Sequence, residues 1–317
     1  MSIASQLMGE VHDLIERRGK QAALQMAEFD RHVIEAAATY MADEDAGGVG
    51  FLYSGWCQAA LPHRKLPDEK GWVIRSDRVA FVVQPGMRVD PDGEAVSIGV
   101  PYGSRARLIM LYLQSEALRT GDREVELGRS LRTWLGRMGI SPGGKSIAGV
   151  REQAERISRC RLTFEVHRGA LTGLVNQNIV DTAIFLDRNS ETGQGSLFTE
   201  TAKLSEVFFE QLKKHPVPLE EAAIRAINNN SMALDIYAWL AYRLHVLSSS
   251  RAVTWKALRP QFGGGVERDN NFKAQFLTNL RLALAVYRDA KVEVEDTGLV
   301  LHPSRPPVAP KPLAMRG

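Results

Sequence analysis

Between residues 101 and 302 the apolar positions recur first at helical and then at strand spacing, and the same succession occurs twice. Leu108, Leu111, Tyr112, Ser115 and Leu118 share one side of a helix, and 126 residues further on Leu234, Tyr237, Ala238, Ala241 and Leu244 repeat the stripe. A short extended piece follows in each copy, EVEL at 124–127 and AVTW at 252–255, then a short helical run ending in glycine, RSLRTWLGRMG or KALRPQFG. After a glycine-rich turn (SPGGKS at 141–146, GGGVERDN at 263–270) comes a longer helix, then an alternating strand, LTFEV at 162–166 against KVEV at 291–294. Gly169 and Gly173 in one copy, and Gly298 in the other, stand where a hairpin must turn. Helix, short strand, helix, turn, helix and hairpin, in that order, predict a winged helix-turn-helix in duplicate.

The flanks have a different grain. Leu7, Val11, Leu14 and Ile15, then Phe29, Val33, Ala36 and Ala37, predict one or two helices over residues 1–42, with Gly19 able to stop the first. DEDAGGVG at 43–50 predicts a linker, and the short apolar runs between prolines over 51–99 predict a few strands. The proline-rich end PSRPPVAPKPLAMRG predicts an extended, disordered tail. The expected architecture is α+β, with two tandem winged-helix domains: a helical extension and linker at 1–50, a first domain at 51–190 for dimerisation and phosphate contact, a base-reading second domain at 191–302, and a basic tail at 303–317.

A chain of 317 residues with 44% hydrophobic and 24% charged positions has room for two cores and is too apolar for wholesale disorder. Cys57 and Cys160 lie far apart without ligand-like spacing, and no apolar run is long enough to span a bilayer, so a cytoplasmic protein without a structural metal is expected. Net charge is only +3, so any nucleic-acid surface must be local. The third helix of each copy is the candidate, because that helix enters the major groove. In the second copy Phe272, Phe276, Leu280, Ala283, Leu284 and Tyr287 take one side, and Asn271, Gln275, Thr278 and Arg281 the other, with no carboxylate in the central turns. Asn and Gln pair with adenine, Arg with guanine, and Thr can meet a thymine methyl. Lys273, nearer the apolar flank, suits a phosphate. In the first copy Ile147, Val150, Ala154 and Ile157 point inward, and the expected outer face mixes Arg151, Arg156 and Arg159 with Glu152 and Glu155. Those carboxylates would repel phosphates, so base reading is assigned to the second copy. The first keeps a protein contact, or phosphate positioning through Lys145, Arg161 and Arg168.

Catalysis has little to stand on. GISPGGKS at 139–146 fits a phosphate-loop pattern, and AIFLD at 183–187 resembles a magnesium-holding strand, so an NTPase is one alternative. The segment before that loop has helical spacing at Leu131, Trp134, Leu135 and Met138, where the mechanism needs a buried strand. The seven histidines are scattered, DED at 43–45 and DPD at 90–92 sit in turns, and no nucleophile, base and orienter assemble. A non-enzymatic protein without cofactor is expected. A winged-helix transcriptional repressor is a further alternative.

Three segments carry a family likeness: YSGWCQAALPHRKLPDEKGW at 53–72, VPYGSRARLIMLYLQSEALRTGDREVELGRSLRTWLGRMGI at 100–140 and HPVPLEEAAIRAINNNSMALDIYAWLAYRL at 215–244. Together they resemble the RepA-type plasmid replication initiators, relatives of the iteron-binding Rep proteins, over about 53–302. The resemblance implies a cytoplasmic protein that binds repeated double-stranded sites in a plasmid origin and helps open it. It also implies recruitment of the host replication initiator and replicative helicase, and a homodimer. In such relatives the second winged helix is the main base reader, in agreement with the charge placement above.

Overall fold

The computed structural model describes residues 3–26, 29–43, 47–75, 79–140, 143–168, 171–184, 200–264 and 268–309. It is a mixed helix-and-sheet fold. Two helices open the chain, α1 (Ile3–Leu24), bent at Gly19 where φ is 79°, and α2 (Arg31–Asp43). Short strands follow: β1 (Val49–Tyr53), β2 (Trp72–Arg75), β3 (Val79–Gln84), β4 (Met87–Val89) and β5 (Ala95–Ser97). Next come α3 (Gly103–Thr120), β6 (Glu124–Glu126), α4 (Arg129–Arg137), α5 (Gly144–Arg159), β7 (Arg161–Arg168), β8 (Leu171–Asn178), β9 (Val180–Ile184) and β10 (Thr201–Leu204). Helix α6 (Glu206–Lys214), β11 (Pro216–Glu220) and α7 (Glu221–Ala226) lead to α8 (Ser231–Leu244), β12 (Arg251–Thr254), α9 (Trp255–Phe262), α10 (Asp269–Ala285), β13 (Val292–Val294) and β14 (Gly298–Leu301).

The two repeated stripes, on α3 and α8, are the centre of the molecule. Helix α8 is buried almost all round, Ile236, Tyr237, Ala238, Trp239, Leu240 and Ala241 included, as a helix enclosed by others must be. Its start is capped by Asn230, whose side chain accepts from the Ala233 N–H. Helix α3 ends at Gly121, whose left-handed φ of 73° suits glycine and lets its N–H reach the Ala117 carbonyl. Over α3 lies a ribbon of β1 and β11, antiparallel from Val49↔Glu220 to Tyr53↔Pro216. The second edge of β1 is satisfied by α3 itself, where Gln114 Oε1 accepts from the Tyr53 N–H at 2.7 Å and Ser115 Oγ from Phe51 at 2.8 Å. The linker expected at 43–50 therefore ends early, because Val49 and Gly50 already belong to this ribbon.

The pairing pattern corrects two further expectations. In the second copy β12 pairs with β14 and β14 with β13. In the first copy the strand that pairs with β6 is β10, which then pairs with β9. The hairpin β7–β8 after α5 turns away and extends a separate sheet in the order β2-β3-β7-β8. The counterpart of the 291–294 strand is thus β9 rather than LTFEV, since β3 offers a buried, apolar edge at Ala80, Phe81 and Val83 for the longer β7 to join. A first domain ending at 190 would also leave out β10, which completes its sheet.

The amino-terminal helices dock on the second copy. His12 is buried, its Nε2 lying 2.9 Å from the Ala285 carbonyl at the end of α10, and Arg288 Nη2 meets Glu16 Oε1 at 3.1 Å. The tail is anchored at its root: Tyr287 Oη donates to the Arg305 carbonyl at 2.7 Å, so disorder cannot begin at 303. Residues 310–317 lie outside the described segments.

A buried ion pair joins the two copies. Arg107 of α3 meets Asp235 of α8 with Nε–Oδ1 and Nη2–Oδ2 both at 2.6 Å, and the same guanidinium donates to the carbonyls of Leu61, Pro62 and Gly103. Beside it His63 Nδ1 lies 3.0 Å from Ser231 Oγ and 3.3 Å from Arg107 Nη2. Burial, helped by the Arg107 charge, pushes His63 down to about 4 from an ordinary 6.5, so it is neutral at pH 7 and its 3.8 Å approach to Asp235 is no ion pair there. The unfolded chain takes up this proton at higher pH than the folded one, so stability falls as pH drops from 6.5 towards 4. Between pH 7 and pH 5 the wild type should lose about 2 kcal/mol more than His63→Gln, measured by denaturant unfolding. Equal pH dependence of the two proteins would contradict the assignment.

Candidate nucleic-acid interface

The first three turns of helix α10 have a divided surface. Phe272, Phe276 and Leu280, spaced four apart, are buried in an aromatic cluster in which Phe276 lies 5.3 Å from Phe262 and 5.8 Å from Trp255, edge to face. On the opposite side Asn271, Gln275, Thr278 and Arg281 are all exposed, and Arg281 has no ion pair among the described residues. Thr278 donates its hydroxyl back to the Ala274 carbonyl at 3.1 Å, which leaves its methyl and acceptor lone pairs for a partner. Lys273 is held at the junction with the β13–β14 hairpin. Its Nζ sits 5.3 Å over the Trp255 ring and 3.4 Å from the Asp296 carbonyl.

Two concavities flank this face, and their charge differs. On one side α2 comes alongside, bringing Asp30 and Glu35 near Thr278. On the other, the turn after β1 and the start of α8 form an open cleft of about 630 Å³ with Asn271, Gln275 and Asn279 on one wall and His63 and Arg64 on the other. No carboxylate lines that cleft among the described residues. Asn230 and Arg64 were invisible as site residues in the sequence, because they adjoin α10 only through tertiary packing.

The first copy is less open. Val150, Ala154 and Ile157 of α5 are buried as the periodicity requires. Arg156, expected on the outer face, is buried too, with Nη2 3.1 Å from Asp68 and 2.9 Å from Glu152. The segment carrying Asp68 packs over that side of α5, something helical periodicity cannot report. Arg151 pairs with Glu200 at 2.8 Å, and Glu155 meets both Arg159 and Arg88. The carboxylates at 152 and 155 therefore face cations of the protein, which offset the repulsion expected of them towards phosphates. Lys145 is exposed in the first turn of α5 and Arg161 is exposed just beyond its end, so the helix separates them by roughly 24 Å. Arg168 closes β7 opposite Leu171, and its side chain lies outside the described residues.

The phosphate-loop lookalike follows α4, a helix, where nucleotide binding of that kind needs a strand. Ser141 and Pro142 of the loop, and Phe185–Asp187 of the acidic segment, lie outside the described residues. No described helix is long and apolar enough to cross a membrane.

Residues 100–257 match the family model of the plasmid-encoded RepA protein. This chain belongs to the plasmid RepA family. The match runs from the start of α3 to the start of α9, narrower than the motif likeness at 53–302, and leaves α10 outside it. Comparison with curated proteins gives no match. Among solved structures, domain 2 and domain 3 of RctB share the fold at TM-score 0.51 and 12% identity, over 79% of this RepA-family chain and 95% of that one. A second crystal structure of RctB domains 2-3 gives TM-score 0.43 at 12% identity over 77% and 93%.

Proposed function

We propose that this RepA-family protein is a replication initiator that binds repeated double-stranded sites in a plasmid origin through two winged-helix units, the second of which reads bases with α10. The observation that carries the reading is the exposed face of Asn271, Gln275, Thr278 and Arg281, amide-bearing and with no carboxylate of the helix's own central turns, on a helix whose other side is fixed by an aromatic core. The order α8, β12, α9, α10 and the three-stranded sheet β12-β14-β13 support the winged-helix description of this unit. The proposal includes action in the cytoplasm, origin opening, dimerisation through the first unit, and recruitment of the host initiator and helicase, and membership of a plasmid replication family supports it. Footprinting on DNA neighbouring the gene should show protection of a repeated element at a regular interval. A plasmid carrying that DNA and this gene should be maintained in a host lacking other copies. Protection of a single operator without maintenance, despite stable expression, would favour a repressor instead.

A further inference from the structure

We propose that Arg64, on the segment between β1 and β2, is a phosphate contact for the duplex read by α10, so that the reading surface is composite and the first unit sets its register. The inference rests on the DNA-binding reading above. Three observations carry it. First, Arg64 shares one open cleft with Asn271 and Gln275, is exposed, and has no ion pair among the described residues. Second, the chain leading to it is clamped at four successive residues, three through their backbone carbonyls and His63 through its ring. The Ala60 carbonyl accepts from Trp72 Nε1 at 2.8 Å, and the Leu61 carbonyl from Arg107 Nη2 at 2.6 Å. The Pro62 carbonyl accepts from the Gly103 N–H at 2.9 Å, and His63 meets Ser231 Oγ at 3.0 Å. Trp72 in turn packs against Gly264 in the turn before α10, so closely that a Cβ there would stand 1.8 Å from the ring. The distance from Arg64 to the reading face is therefore built into the core. Third, the charge around α10 is one-sided: the groove on the α2 side carries Asp30 and Glu35, whereas the Arg64 side carries no described carboxylate.

A helix in the major groove leaves the two phosphate ridges beside it, and a rigidly held guanidinium on that flank meets one of them. Such a contact fixes the helix in the groove and carries no sequence information. Affinity should be measured across a salt series for the full chain, on a duplex of the footprinted repeat and on a random duplex. Arg64→Ala is expected to weaken both by a similar factor, roughly three- to tenfold, and to lower the slope of log K against log salt by about 1, with Arg64→Lys recovering most of the loss. Because the side chain is exposed, thermal unfolding should not move. Unchanged affinity and slope, alongside lost selectivity in Gln275→Ala, would overturn the Arg64 contact and leave the reading helix standing. Loss on the repeat alone would make Arg64 a base contact and also overturn the phosphate role. No effect of either substitution would sink both.

Discussion

Replacing Arg107 with alanine is expected to destabilise the protein by about 3–5 kcal/mol, seen as a shift of the denaturant midpoint. The two side chains of the Arg107–Asp235 pair are only 10% and 11% exposed. Removing the cation leaves a carboxylate desolvated at the centre, and the carbonyls of Leu61 and Pro62 lose donors at the same time. Arg107→Lys should recover little, because an ammonium cannot span both Asp235 oxygens while reaching those carbonyls. A loss below about 1 kcal/mol in the alanine variant would show that water or another cation replaces the pair, against the rigid joint described here.

The second large effect belongs to the reading face. Gln275→Ala and Arg281→Ala should each cost about 1–3 kcal/mol at the cognate repeat while changing binding to random duplex much less. Both side chains are exposed, so the folded state should be unaffected, and competition between the two duplexes isolates the term. Equal losses on both duplexes would reduce these residues to general backbone contacts.

The division of the first turns of α10 was legible in the sequence because burial of Phe272, Phe276 and Leu280 follows the helical period, against the aromatic core. Helix α5 shows where that logic stops. Arg156 falls on its polar side by spacing, yet Asp68, 88 residues away in sequence, covers it. Strand identity failed in a similar way: LTFEV alternates as a wing strand should, but alternation names a face and not a partner, and β3 claimed it. The repeat itself foretold the central place of α3 and α8, since stripes matched across 126 residues must bury against something common. Helices α1 and α2 gave no such cue, because an amphipathic helix does not specify which hydrophobic face it will meet. The cleft beside α10 belongs to the same class. Arg64 sits in a proline-flanked polar turn, and only the clamp by Arg107, Trp72 and Ser231 makes it a fixed feature.

The account stands on α10 lying in the major groove with Gln275 towards the bases, and directed cleavage reports that placement. Cys57 and Cys160 are both buried, and burial pushes both thiols up, so a thiol introduced by Gln275→Cys can be labelled selectively with an iron chelate. On the cognate repeat the account predicts strand cuts confined to a few nucleotides, offset towards the major groove and recurring once per repeat. A chelate attached through Glu152→Cys on α5 should give a separate pattern or none. Absence of cleavage from position 275 in a complex that still protects the repeat would contradict it.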